Sequence, residues 1–192
     1  MPQDPTMTAD NVDVAQTGGV AFAPTDTPAP TDAETPVTTP WRFVGYISQD
    51  GVVEARDRST NNIVAWQNSD VVRVVTTEAS ITVEFTMIET NLNSLALFYG
   101  AEVEAADSSI EIVPRASGGR RAIVVDYQDG DDKHVRLYLP NAEVTAVTGP
   151  TLSAGDAVGM GVTITGYPQS FGEGETATSY SAKKWFSDLA TS

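Results

Sequence analysis

The sequence predicts a mainly β protein with one α-helix, on three observations. Past Pro40, the runs between turn signals are rich in Val, Ile, Thr, Phe and Tyr, residues that fit a pleated, half-buried surface. Ile81, Val83, Phe85 and Met87 alternate with Thr82, Glu84 and Thr86, and Val158, Met160, Val162 and Ile164 alternate with Gly159, Gly161, Thr163 and Thr165. This period of two sends apolar groups to one face of a sheet. Only one segment carries convincing helical spacing. At 192 residues and 41% hydrophobic, the chain is long enough to bury one sizeable core.

The elements follow in order. Residues 1–40 hold seven of the 11 prolines, six acidic residues and no Lys or Arg. This Thr/Pro/Asp/Ala mixture reads as an N-terminal arm, either a flexible leader or a segment that orders on another subunit. Within it, Gly19-Val20-Ala21-Phe22-Ala23-Pro24 has the character of an edge strand. Residues 41–192 form the β-rich domain. Arg42 to Ile47 leads into a turn at Asp50-Gly51, Ile63 to Trp66 is a short strand, and Val71–Thr77 and Ser80–Ile88 read as a hairpin joined by Glu78-Ala79.

The helix spans about 91–99. Thr90 or Asn91 can cap it, and Leu92, Leu95, Ala96 and Tyr99 fall on one face at i, i+3, i+4 and i+7. Gly100 supplies the left-handed residue that commonly ends a helix. Strands resume at Ile110–Val113, Ala122–Tyr127, Lys133–Leu139, Glu143–Val147 and Ala157–Tyr167. Gly172-Glu173-Gly174 then connects to a closing segment, Thr176–Phe186. The sparse Gly159 and Gly161 face permits close approach by another backbone, and Trp41 has the character of a core or interface anchor.

Charge and composition narrow the function. The chain has 11 Lys+Arg against 26 Asp+Glu, a net charge of −15, which disfavours nucleic acid and anionic membranes, whose binding needs clustered cations. There is no cysteine, so thiol nucleophiles, disulfides and thiolate metal sites are excluded. No run approaches the roughly 18 apolar residues of a membrane span. The start Met1-Pro2-Gln3-Asp4-Pro5 lacks the basic and apolar blocks of a secretory signal, so the expectation is a soluble protein made in the cytoplasm, with no membrane partner.

No catalytic constellation stands out. His134, the single histidine, has no second histidine for a metal site and no Gly-x-Ser-x-Gly elbow elsewhere. The acidic cluster Asp126, Asp129, Asp131 and Asp132 contains the turn pair Asp129-Gly130 between two strand-like runs, and a hairpin accounts for it better than a calcium loop. No catalytic residue, cofactor or metal is expected.

Three stretches resemble a known family in order and spacing. They are Gly18-Gly19-Val20-Ala21-Phe22-Ala23-Pro24, Phe43-Val44-Gly45-Tyr46-Ile47-Ser48-Gln49-Asp50-Gly51-Val52, and Glu89-Thr90-Asn91-Leu92-Asn93-Ser94-Leu95-Ala96-Leu97-Phe98-Tyr99-Gly100. Together they resemble the major tail proteins, or tail tube proteins, of bacteriophages with long non-contractile tails (siphoviruses), over about residues 18–186.

The resemblance implies a β-sandwich or barrel-like tail-tube fold with a flanking helix, and a virion protein that self-assembles into stacked, commonly hexameric rings. These form the conduit for genome delivery. It also implies the tape measure, tail terminator and distal tail proteins as partners, and DNA as a cargo that passes without sticking. On this view Val20, Phe22, Trp41, Phe43, Gly159 and Gly161 are assembly candidates, while Leu92, Leu95, Ala96 and Tyr99 pack the helix. A capsid-decoration or receptor-binding β-sandwich module is the alternative.

Overall fold

The computed structural model describes residues 11–104, 107–130, 133–172 and 177–188. Its elements are β1 (Thr17–Pro24), β2 (Arg42–Phe43), β3 (Ile47–Val64), β4 (Val71–Met87), α1 (Leu92–Tyr99), β5 (Arg121–Asp129), β6 (Lys133–Thr148), β7 (Met160–Gly166), β8 (Gln169–Phe171), β9 (Thr178–Tyr180) and β10 (Lys183–Phe186). Eight strands make one sheet in the order β2-β1-β5-β6-β7-β4-β3, with β10 on β6 beside this path, and β8 and β9 pair separately. β6 is long enough to take β10 along Val135–Tyr138 and β7 along Ala142–Thr148 on the same edge.

The chain itself forces this sheet to curl. β2 and β3 are the two ends of the strand order, yet only Val44-Gly45-Tyr46 separates them in sequence. Four residue steps span at most about 14 Å, so the ends of a seven-strand path lie side by side. They do not pair with each other, and the result is a barrel-like roll that stops short of closure. The mainly β fold, with one helix among the described residues, is as the sequence predicts.

The concave side holds the core. Val20 and Phe22 of β1, Val83, Phe85 and Met87 of β4, Ile123 and Val125 of β5, Leu137 and Leu139 of β6, and Met160, Val162 and Ile164 of β7 form one buried cluster with Ala96 and Leu97 of α1. The alternation in β4 and β7 is the visible cause, because every second residue enters this cluster. On the other face of β5 and β6, Ala122, Val124 and Tyr138 make a smaller cluster covered by Trp41 and Trp185.

Several strand boundaries differ from the sequence reading, each for a local reason. Val71–Thr77 and Ser80–Ile88 do not form a hairpin; they belong to one strand, β4, and the separate strand expected at Ile63–Trp66 is the end of β3. Glu78-Ala79 offers no residue suited to positive φ. The reversal instead uses Asn68 and Ser69, at φ 58° and 56°, closed by Ala65 N–H donating to the Asp70 carbonyl at 2.8 Å. Asp50-Gly51 is an irregularity inside β3, where the register jumps between Ile47 and Val52 and Gly51 adopts φ 72°.

Lys133–Leu139 and Glu143–Val147 are one strand, β6. Buried Pro140 lies where the β5 register shifts, between Arg121 and Ile123, a place where a missing N–H is tolerated. Ile110–Val113 is not a strand, and Ile112 and Val113 lie exposed. Ala157–Tyr167 shortens to β7. The expected closing strand divides into β9 and β10, while residues 173–176, including part of the Gly172–Gly174 connection, lie outside the described residues.

The N-terminal segment also departs from expectation. β1 lies inside the sheet, paired with β5 at every position from Thr17↔Gln128 to Pro24↔Arg121 and with β2 at Ala21 and Phe22. The loop after it folds back on its own subunit. Arg136, buried on β6, pairs with both Asp126 carboxylate oxygens at 2.7 and 2.8 Å and donates Nη1 to the carbonyls of Asp32 and Thr35 at 2.9 and 2.7 Å. The strand expected at Gly19–Pro24 is present, but as an interior strand with β5 on one side and β2 on the other rather than as a free edge.

Candidate assembly surface

The three family-like stretches, far apart in sequence, meet at one joint. Val44 N–H donates to the Val20 carbonyl at 3.1 Å, and Gly45 then turns the chain with φ 90°. The Glu89 carboxylate accepts from Tyr46 N–H at 2.9 Å and from Asn91 Nδ2 at 3.1 Å, while the same Nδ2 donates to the Val44 carbonyl at 3.0 Å. A side chain at residue 45 would overlap the Glu89 carboxylate and the Asn91 amide. The Asn91 amide hydrogen bond, followed by that from Tyr46 N–H, holds the Glu89 carboxyl below its usual pKa.

The same Asn91 starts the helix. Its Oδ1 accepts from Asn93 and Ser94 N–H, and Ser94 Oγ returns the bond by accepting from Asn91 N–H at 2.9 Å, a reciprocal cap. Gly100, at φ 66°, ends the helix against the Gly118 backbone, where any side chain would collide. Glycine and amide residues at this joint therefore set the angle at which β3 leaves the body, and β3 carries the most exposed part of the molecule.

Beyond that joint, β3 and β4 leave the roll. β4 pairs with β7 only from Ile81 onward, so residues 71–80 and their β3 partners form a two-stranded ribbon that projects about 30 Å, at about 3.3 Å per residue. Its residues are almost all exposed, and the exposed side chains include Ile63, Val64, Val71, Val72 and Val74, with Trp66 at the turn 96% exposed. Both outer edges of the ribbon lack a strand partner among the described residues. A lone two-stranded ribbon is marginally stable in water, and a run of exposed apolar residues on open edges is a surface made to be covered.

The sequence-predicted residues fall elsewhere. Val20 and Phe22 lie inside the subunit core, and the Phe22 ring is flanked by the Arg42 and Arg121 guanidinium groups at 5.0 and 4.8 Å. Trp41 meets Tyr138 edge-on, with ring centroids 6.3 Å apart. Gly159 and Gly161 face Thr86 and Thr148 of neighbouring strands, so the sparse face is filled from within the subunit. Phe43, on the short edge strand β2, is 49% exposed. On the helix, Ala96 is buried and Leu95 packs on the core, but Leu97 and Ser94 are buried while Leu92 is 59% exposed. Tyr99 is half-buried and sets its ring at 90° to Phe98.

The ribbon itself is what the sequence reading missed. The available signal was Gln67-Asn68-Ser69-Asp70, a dense turn composition between two β-branched runs. Of the acidic cluster considered for a metal, Asp126 pairs with Arg136, and Asp129 accepts from Val14 N–H and Gln16 Nε2 at 2.9 and 3.0 Å. Asp131 and Asp132 lie outside the described residues. Among the described residues, no group of three or more His, Cys, Asp or Glu could hold a metal, and no helix is long and apolar enough to cross a membrane.

The sequence matches the family described as phage tail tube protein over residues 5–186. No curated protein matches it. Among solved structures, it is similar to a chain of the cryo-EM structure of the anti-feeding prophage baseplate, at 12% identity and a TM-score of 0.42, covering 89% of this chain and 93% of that one. It is also similar to a type six secretion system protein, at 8% identity and a TM-score of 0.33, covering 88% and 95%. With nearly its whole length matched, the chain belongs to the phage tail tube protein family and is a structural component of the virion.

Proposed function

We propose that the protein acts without catalysis, assembling into rings that stack into the hollow tube of a long, non-contractile phage tail. The observation that carries this reading is the exposed apolar β3–β4 ribbon. Burying a Val, Ile or Trp side chain in a partner contributes about 1.5–3 kcal/mol, so several together supply what a lone subunit leaves unused. A head-to-tail contact that closes by rotation makes a ring, and the two ring faces then add along an axis. Six subunits per ring follows the family resemblance. The tape measure, tail terminator and distal tail proteins are the further partners.

The net charge of −15 suits a genome conduit. DNA carries about one negative charge per 1.7 Å, and an acidic wall repels it and leaves it free to slide. The test uses the purified chain at high concentration, with salt added to screen self-repulsion, in negative-stain electron microscopy and sedimentation. Rings or tubes are expected, lost in a Trp66→Ser/Val72→Ser/Val74→Ser variant whose melting curve is unchanged. A wild-type monomer at every concentration, or normal tubes from the variant, would overturn the reading.

A further inference from the structure

At the root of the ribbon the molecule carries a concavity of opposite character. About 460 Å³ in volume, it lies between the β3–β4 stem and the start of β10, and its lining includes Arg56, Arg58, Lys183 and Lys184 with Glu54 and Asp57. Lys184 is neutralised by an ion pair with Glu54. The other three cations have no carboxylate partner among the described residues: Arg58 donates to Thr76 Oγ1 at 2.7 and 3.0 Å, and Lys183 sits 4.7 Å from the Trp185 ring centroid. Arg56, Arg58 and Lys183 are exposed.

The concavity takes four of the 11 basic and two of the 26 acidic residues, so the rest of the chain carries 24 acidic against 7 basic residues, a net of −17. Two copies that met at random would repel each other.

We infer that this concavity receives an acidic face of a second copy, which makes this contact electrostatically attractive in a chain whose remaining charge is strongly negative. The inference rests on the assembly reading above and adds the charge that fixes its register. Opposite charge at one patch and like charge elsewhere penalises wrong orientations, and because the concavity lies beside the apolar ribbon, the two features together define one polar, head-to-tail contact. The three unpaired cations lie at the ribbon stem, and a copy of this chain, at a net charge of −15, supplies acidic surface to meet them.

The experiment compares Arg56→Glu and Lys183→Glu with Arg115→Glu, an exposed loop change of equal charge outside the concavity, by sedimentation and electron microscopy at fixed salt. The first two are expected to raise the concentration needed for rings or tubes about tenfold or more, with unchanged melting curves, while Arg115→Glu assembles as wild type. If the wild-type chain assembles and all three variants assemble equally, the inference fails and the assembly reading stands. If the wild-type chain never assembles, both fail. If Arg56→Glu assembles normally but loses binding of the wild-type monomer to double-stranded DNA, the concavity is a nucleic-acid surface and the inference is overturned.

Discussion

The two halves of β4 are built from similar residues and end in opposite environments. Along Ile81–Met87, the residues Val83, Phe85 and Met87 are sealed between β3, β7 and the helix; along Val71–Ser80, Val71, Val72 and Val74 stand in solvent. The difference lies in what flanks the strand. From Ile81 onward β7 pairs with β4, and before it nothing does. On β3, opposite the start of that exposed half, Arg56 and Arg58 replace the apolar residue that Val52 represents within the body, so the inward face becomes polar where the core ends. One strand thus stabilises the subunit with one half and leaves the other bare, the half proposed above to meet a partner.

The largest effect should come from removing residues 1–40. This deletes β1, with Val20 and Phe22, from the centre of the core, and we expect no cooperative unfolding transition by circular dichroism. A folded, two-state fragment would mean that β1 is dispensable to the body. Next, Phe85→Ala should cost about 3–5 kcal/mol in denaturant unfolding. In the same strand, Val74→Ala should change monomer stability by under about 0.5 kcal/mol while weakening assembly. Equal costs would erase the contrast between the halves.

The helix sharpens the comparison on a smaller scale. Leu97→Ala should cost about 2–5 kcal/mol, and exposed Leu92→Ala within about 0.5 kcal/mol, although spacing alone places Leu92 on the packed face. The reverse order would show that the helix is rotated in solution.

The smallest effect concerns the loop after β1. Hydrogen bonds from Thr35, first from its backbone and then from its side chain, lower the Asp32 pKa from 3.8 to about 2. A depressed carboxylate stabilises the fold above its unfolded pKa and loses that contribution as pH falls through the folded value. The difference in melting temperature between wild type and Asp32→Asn should therefore be constant above about pH 5 and shrink progressively as pH falls through about 2. A difference that persists unchanged at pH 2 would show that the carboxylate's charge plays no part.

The alternation of Ile81–Met87 and Val158–Ile164, the helix near residues 91–99 and its Gly100 end were legible because each depends on neighbours a few residues away. The Asp129-Gly130 turn between β5 and β6 was legible for the same reason. Strand continuity was less so: Glu78-Ala79 and Pro140-Asn141 look like breaks in isolation, and only partners on adjacent strands carry β4 and β6 through them. The ribbon's turn was marked by Gln67-Asn68-Ser69-Asp70, but its exposure was illegible from pattern alone, because Val-rich runs are written identically whether buried or bare.

By itself, the sequence determined a β-rich chain with one capped helix, no thiol chemistry, a strongly acidic balance and the glycine and amide positions that resemble tail tube proteins. Tertiary structure decided that the strand at Thr17–Pro24 lies inside the sheet, that Val20 and Phe22 serve the subunit's own interior, and that the apolar residues left over lie on a projecting ribbon. The physical reason is that propensity and periodicity are local, whereas burial depends on which strands the curled sheet brings alongside. Gly45, Glu89 and Asn91 acquire their meaning only when the two ends of that sheet meet.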